Sequence, residues 1–143
     1  IEYKLMDDKI GYIRVSEFDT VTYDQYEEAL DDLEKQGMTG LVVDLRNNPG
    51  GSLSTVCDML DLMLPKGLIV YTEDKDGKKT EMKSDEEHQF TKPLAVLVNG
   101  NSASASEIYS GAIQDYGIGK IVGTRHMERV LYSRFLIWMT EQL

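Results

Sequence analysis

Leu41-Val42-Val43-Asp44-Leu45-Arg46-Asn47-Asn48-Pro49-Gly50-Gly51 is the stretch on which the fold turns. Residues 41–45, apolar but for Asp44, read as a parallel strand buried on both faces. The strand runs into a Gly-Gly turn, and helical spacing resumes at Leu53. The same grammar recurs downstream. Leu94-Ala95-Val96-Leu97-Val98 feeds the small-residue turn Asn99-Gly100-Asn101-Ser102-Ala103-Ser104, and a helix follows through Ala105-Ser106-Glu107-Ile108.

Working outward, residues 10–15 alternate weakly and predict a strand. Residues 20–36 predict an amphipathic helix with Tyr26, Leu30 and Leu33 on one face and acids on the other, ended by Gly37 or Gly40. Residues 53–64 predict a second helix, with Leu53, Val56, Cys57, Leu60 and Met63 on one side and Pro65 as its stop. Residues 68–72 and 79–83 flank Asp74-Lys75-Asp76-Gly77 and predict a β-hairpin; residues 84–91 predict a polar loop. A helix over residues 104–116 would turn Ala105, Ile108 and Ala112 inward, and residues 119–124 close with a short strand. Alternating strands and helices make this an α/β chain with a mainly parallel core and right-handed crossovers.

The 143 residues, 41% hydrophobic and 28% charged, suffice for one domain with a real core. A net charge of −10 argues against nucleic acid and against an anionic membrane surface, both of which need a basic patch. No apolar run approaches spanning length. No signal peptide is evident, and a start at Ile1 predicts that an upstream portion is missing. Cys57 is the sole cysteine, so no internal disulfide is expected, and its place on a helix stripe marks it as core. His88 and His126 form no ligand pattern; neither metal nor cofactor is expected.

Serines at the mouth of a helix lie where backbone N–H groups are unpaired and the dipole favours negative charge. That setting suits a nucleophile whose product is an oxyanion, although a Ser-rich N-cap would look the same. Together the two runs resemble the carboxyl-terminal processing, or tail-specific, proteases. That family shows a strand, then Asp-Leu-Arg-x-Asn-x-Gly-Gly, and later Ser-Ala-Ser-Ala-Ser-Glu. The resemblance covers residues 3–124.

The resemblance implies a ClpP/crotonase-like core of stacked ββα units and a serine endopeptidase with a Ser/Lys dyad. Ser104 would be the nucleophile, with Ser102 and Ser106 as capping and packing residues. The oxyanion would be held by the N–H groups of Ala105 and Gly50, with Gly51 as the alternate. Asp44 and Arg46 would be structural, and Asp115 would support the site. A lysine would act as base, its pKa lowered by burial and a helix N-terminus. Implied substrates are proteins or peptides with apolar C-terminal tails, usually gripped by a preceding PDZ domain that is absent here. The implied location is extracytoplasmic, in the bacterial envelope or beyond.

The resemblance breaks after Val122-Gly123-Thr124. The family lysine would fall 25 positions after Ser104, where this chain has Arg129, which stays protonated and cannot serve as base. His126-Met127-Glu128-Arg129-Val130-Leu131-Tyr132-Ser133 can be written CAT ATG GAA AGG GTA TTG TAC AGT. Read one base over, with an A restored in front, it gives ACA TAT GGA AAG GGT ATT GTA CAG. That spells Thr-Tyr-Gly-Lys-Gly-Ile-Val-Gln, the family motif, with its lysine at position 129. The expectation is therefore an incomplete protease core over residues 1–124 and an aberrant tail over 125–143, out of frame or vector-derived. Such a chain would be inactive. Leu131, Phe135 and Trp138 would cover bare core surface, which would otherwise drive self-association into a homo-oligomer. The rival reading is a non-catalytic binding or scaffold protein on the same fold.

Overall fold

β3 (Gly40–Asp44) sits at the centre of the molecule, hydrogen-bonded in parallel to β2 (Ile10–Arg14) on one side and β6 (Leu94–Leu97) on the other. The computed structural model describes residues 1–73, 76–85 and 89–123. β7 (Lys120–Val122) adds in parallel to β6, and β1 (Glu2–Met6) pairs antiparallel with β2, giving the order β1-β2-β3-β6-β7. The mainly parallel α/β architecture expected from the strand–helix alternation is the one observed. β1 was not foreseen, because its residues are mostly polar and exposed at the sheet edge.

The helices α1 (Thr22–Lys35), α2 (Leu53–Asp61) and α3 (Ala105–Asp115) pack on one another and cover the sheet. Side chains alternate across a strand, so Ile13, Val15, Leu41, Val43, Leu45, Leu94, Val96 and Val98 form one buried face. The helices meet it with Leu33, Val56, Met59, Leu60, Ile108 and Ile113. Tyr26 of α1 and Tyr109 of α3 cross edge-to-face inside this core, their hydroxyls 2.7 Å apart. The opposite face of the sheet is half-open at Tyr12, Val42, Ala95 and Leu97. Burial on both faces therefore holds for Gly40 and Asp44 but not for Val42.

Gly37, at φ +84°, ends α1: its N–H donates to the Glu34 carbonyl while Met38 N–H reaches the Leu33 carbonyl. Glycine is needed here because the left-handed turn crowds a Cβ. Ser52 caps α2 by accepting the Thr55 N–H. That helix ends at Asp61 rather than at residue 64, since Met63 and Leu64 both donate to the Leu60 carbonyl and tighten the chain before Pro65. β4 (Gly67–Glu73) and β5 (Lys79–Ser84) form the expected antiparallel hairpin. The hairpin residues 74–75, His88, Thr124 and the tail with Arg129, Leu131, Phe135 and Trp138 lie outside the described residues.

Candidate active site

Because β3 and β6 are adjacent and parallel, their C-terminal loops emerge side by side. The Gly-Gly turn and the serine turn, 54 positions apart between Gly50 and Ser104, are thereby brought into contact. A Cβ placed on Gly50 would stand 2.8 Å from Ser104 Cβ, 2.9 Å from the Ala103 carbonyl oxygen and 3.0 Å from Ala105 N. Gly50 lies at φ +109°, so both space and conformation exclude a side chain.

Asn48 joins the two turns. It is fully buried. Its Nδ2 donates to the Val15 carbonyl at 2.8 Å, and its Oδ1 accepts the Gly50 N–H at 2.8 Å. Its own carbonyl accepts from Ala103 N–H at 3.1 Å and from Ser106 Oγ at 3.0 Å. One buried asparagine thus holds β2, the Gly-Gly turn and the serine turn in register. Reading the sequence as a tight turn at Asn48-Pro49-Gly50-Gly51 missed this role. The signal was the asparagine of the Asp-Leu-Arg-x-Asn-x-Gly-Gly pattern.

Ser104 is exposed and caps α3 with φ +55°, ψ −114°, a conformation that costs a non-glycine residue about 1–3 kcal/mol. Its N–H donates to Glu107 Oε2 at 3.1 Å, and its carbonyl accepts the N–H groups of Glu107 and Ile108. Ser102 and Ser106 are buried, with Ser102 Oγ donating to the Leu45 carbonyl at 2.7 Å and Ser106 Oγ to Asn48. Of the three serines, Ser104 alone is exposed.

Ala105 opens the helix, and its N–H has no acceptor among the described residues. The two glycines differ. Gly50 is buried and its N–H is held by Asn48, whereas Gly51 is exposed at φ +141° and its N–H has no acceptor among the described residues. Asp115 closes α3 at its far end, eleven residues on, which is about 16 Å by helix rise. The structure does not bring it to Ser104. Burial raises its carboxyl pKa.

A second layer of polar contacts stiffens the loops. Asn47, at φ +62°, donates its N–H to Asn99 Oδ1 and accepts from Asn99 Nδ2 and Asn101 Nδ2. Asp44 takes the Arg46 Nε and Nη2 and the Tyr12 hydroxyl. Burial pushes its carboxyl up, but Arg46 and Tyr12 outweigh that and hold it down at about 2. Cys57 is buried, and burial followed by the nearby Asp58 carboxylate lifts its thiol to about 12, which is inert at neutral pH. Among the described residues no cluster of His, Cys, Asp and Glu could hold a metal ion.

A strand-end glycine turn thus lies locked against an exposed, strained helix-capping serine at the carboxyl ends of two adjacent parallel strands. The sequence profile of peptidase family S41 matches residues 9–136, and the chain belongs to that family. It is 44% identical over 116 residues to a carboxyl-terminal-processing protease of Synechocystis sp., covering 81% of this chain and 27% of that protein. It is 38% identical over 121 residues to the carboxy-terminal processing protease CtpA of Bacillus subtilis, covering 84% and 26%. The solved photosystem II D1 C-terminal processing protease superposes with a TM-score of 0.72 at 35% identity, covering 78% of this chain and 29% of that one. The chain therefore spans about a quarter of the length of the curated relatives it matches.

Proposed function

We propose that the chain carries the nucleophile half of a Ser/Lys endopeptidase that cleaves proteins near their C-termini. The observation that carries this reading is the packing of Gly50 directly on Ser104 and Ala105. Ser104 would attack the scissile carbonyl, and Ala105 N–H with one N–H of the Gly-Gly turn would hold the oxyanion. Gly51 suits that second role in the observed geometry, since Gly50 N–H is donated to Asn48 Oδ1. Gly50 serves if Asn48 releases it. Substrates would be proteins with apolar C-terminal tails, met in an extracytoplasmic compartment, by analogy with relatives that process C-termini. The core would be of the ClpP/crotonase type.

In this reading residues 1–124 carry the protease core and 125–143 are an aberrant tail, into which the family match runs as far as residue 136. With Arg129 at the position of the base, Ser104 keeps its proton and the 143-residue chain is inactive. The same arginine favours the second reading, a binding protein on a protease scaffold.

The test is to restore the shifted reading frame and treat both forms with a fluorophosphonate. Labelling of Ser104 in the restored form, and none in the 143-residue chain or in a restored Ser104→Ala variant, is the expected result. A restored form that never labels supports the binding role. Peptide cleavage by the 143-residue chain that Ser104→Ala abolishes overturns the claim of inactivity.

A further inference from the structure

We infer that Asn99 is a site of spontaneous deamidation, and that the fold promotes the reaction where folding ordinarily suppresses it. Asn99 precedes Gly100, which has no side chain to shield its amide nitrogen and lies exposed in the turn. The Gly100 N–H has no hydrogen-bond acceptor among the described residues, so nothing holds that nitrogen back. The Asn99 side-chain carbonyl is polarised from outside. Oδ1 accepts the backbone N–H of Asn47 at 3.0 Å and that of Asn101 at 3.0 Å. Two backbone donors converging on one carbonyl oxygen are the arrangement that stabilises a tetrahedral oxyanion. Against them stands a single neutral bond from Asn99 Nδ2 to Asn47 Oδ1 at 2.9 Å, which the leaving amide must give up.

The Gly100 nitrogen bonds to Asn99 Cγ, the Cγ–Nδ2 bond breaks, and ammonia departs with the proton from the Gly100 amide. Water then opens the cyclic imide at either carbonyl, giving aspartate or isoaspartate. The net change is asparagine plus water to aspartate plus ammonia. The consequence is local. A donor to Asn47 Oδ1 becomes an acceptor facing an acceptor, and the isoaspartate product also lengthens the backbone. The Asn99 Nδ2–Asn47 Oδ1 contact between the two turns is thereby lost, while the bonds of Asn48 and of Asn101 Nδ2 to Asn47 remain.

The test is peptide mapping by mass spectrometry of the 143-residue chain held at mildly alkaline pH, folded and in parallel unfolded in urea. In the folded chain Asn99 is expected to convert about tenfold faster than Asn47 or Asn101, and faster than in the unfolded chain. Gly100→Ala should slow the conversion; the comparison of folded with unfolded chain needs no variant. Conversion of Asn99 no faster in the folded chain than in the unfolded one, or equal conversion at Asn47 and Asn101, overturns the inference.

Discussion

Gly50 and Asp44 show how single residues set the site. Gly50→Ala would place a methyl against Ser104 and the Ala103 carbonyl in a backbone region disfavoured for alanine. The variant should lose roughly 2–4 kcal/mol in urea unfolding. Asp44 is 2% exposed and its pKa falls from the ordinary 3.8 to about 2. A depressed folded-state value means that its contribution is present above about pH 4 and is lost as pH falls toward 2. Arg46 is half exposed, and solvent screening there keeps the contribution small. Asp44→Asn should therefore cost on the order of 1–2 kcal/mol at neutral pH and flatten the acid limb of the stability profile in that window. Asn48→Ala deletes two buried side-chain bonds and should cost about 2–4 kcal/mol, read from the same unfolding curves.

At the scale of elements, the join between α1 and α3 rests on the Tyr26–Tyr109 pair. Either Tyr→Phe change leaves the other hydroxyl buried without its partner and should cost about 1–3 kcal/mol. The double Tyr→Phe variant should cost less than the sum, because both polar groups then leave together. A double-mutant cycle in urea should return a coupling of about 1 kcal/mol, and additive costs would contradict the pairing. The helices and strands themselves were legible from periodicity, with the misses at their margins. α2 stopped three residues early, and the polar edge strand β1 carried too little apolar pattern to announce itself.

Across the whole molecule the charge is one-sided, 25 acidic against 15 Lys and Arg residues. Asp24, Glu27, Glu28, Asp31 and Asp32 crowd one face of α1. Salt shortens the reach of that repulsion from about 30 Å at 0.01 M to about 8 Å at 0.15 M. Stability measured by thermal unfolding should therefore rise with salt by about 0.5–1 kcal/mol across that range. Unchanged or falling stability would place the main electrostatic weight on attractive pairs such as Lys92–Glu34 instead.

The sequence by itself determined the α/β class, the family and the core faces of the helices. Each of these depends on residue types at short, regular spacing, which the chain displays without folding. Only the tertiary structure decided that Asn48 bonds Val15, Gly50, Ala103 and Ser106, that Gly50 spends its N–H on Asn48 while the Gly51 N–H has no acceptor among the described residues, and that Asp115 ends a helix away from Ser104. Those facts depend on which loops adjacent strands bring together and on where each backbone N–H then points. Neither is encoded in any local window of the chain.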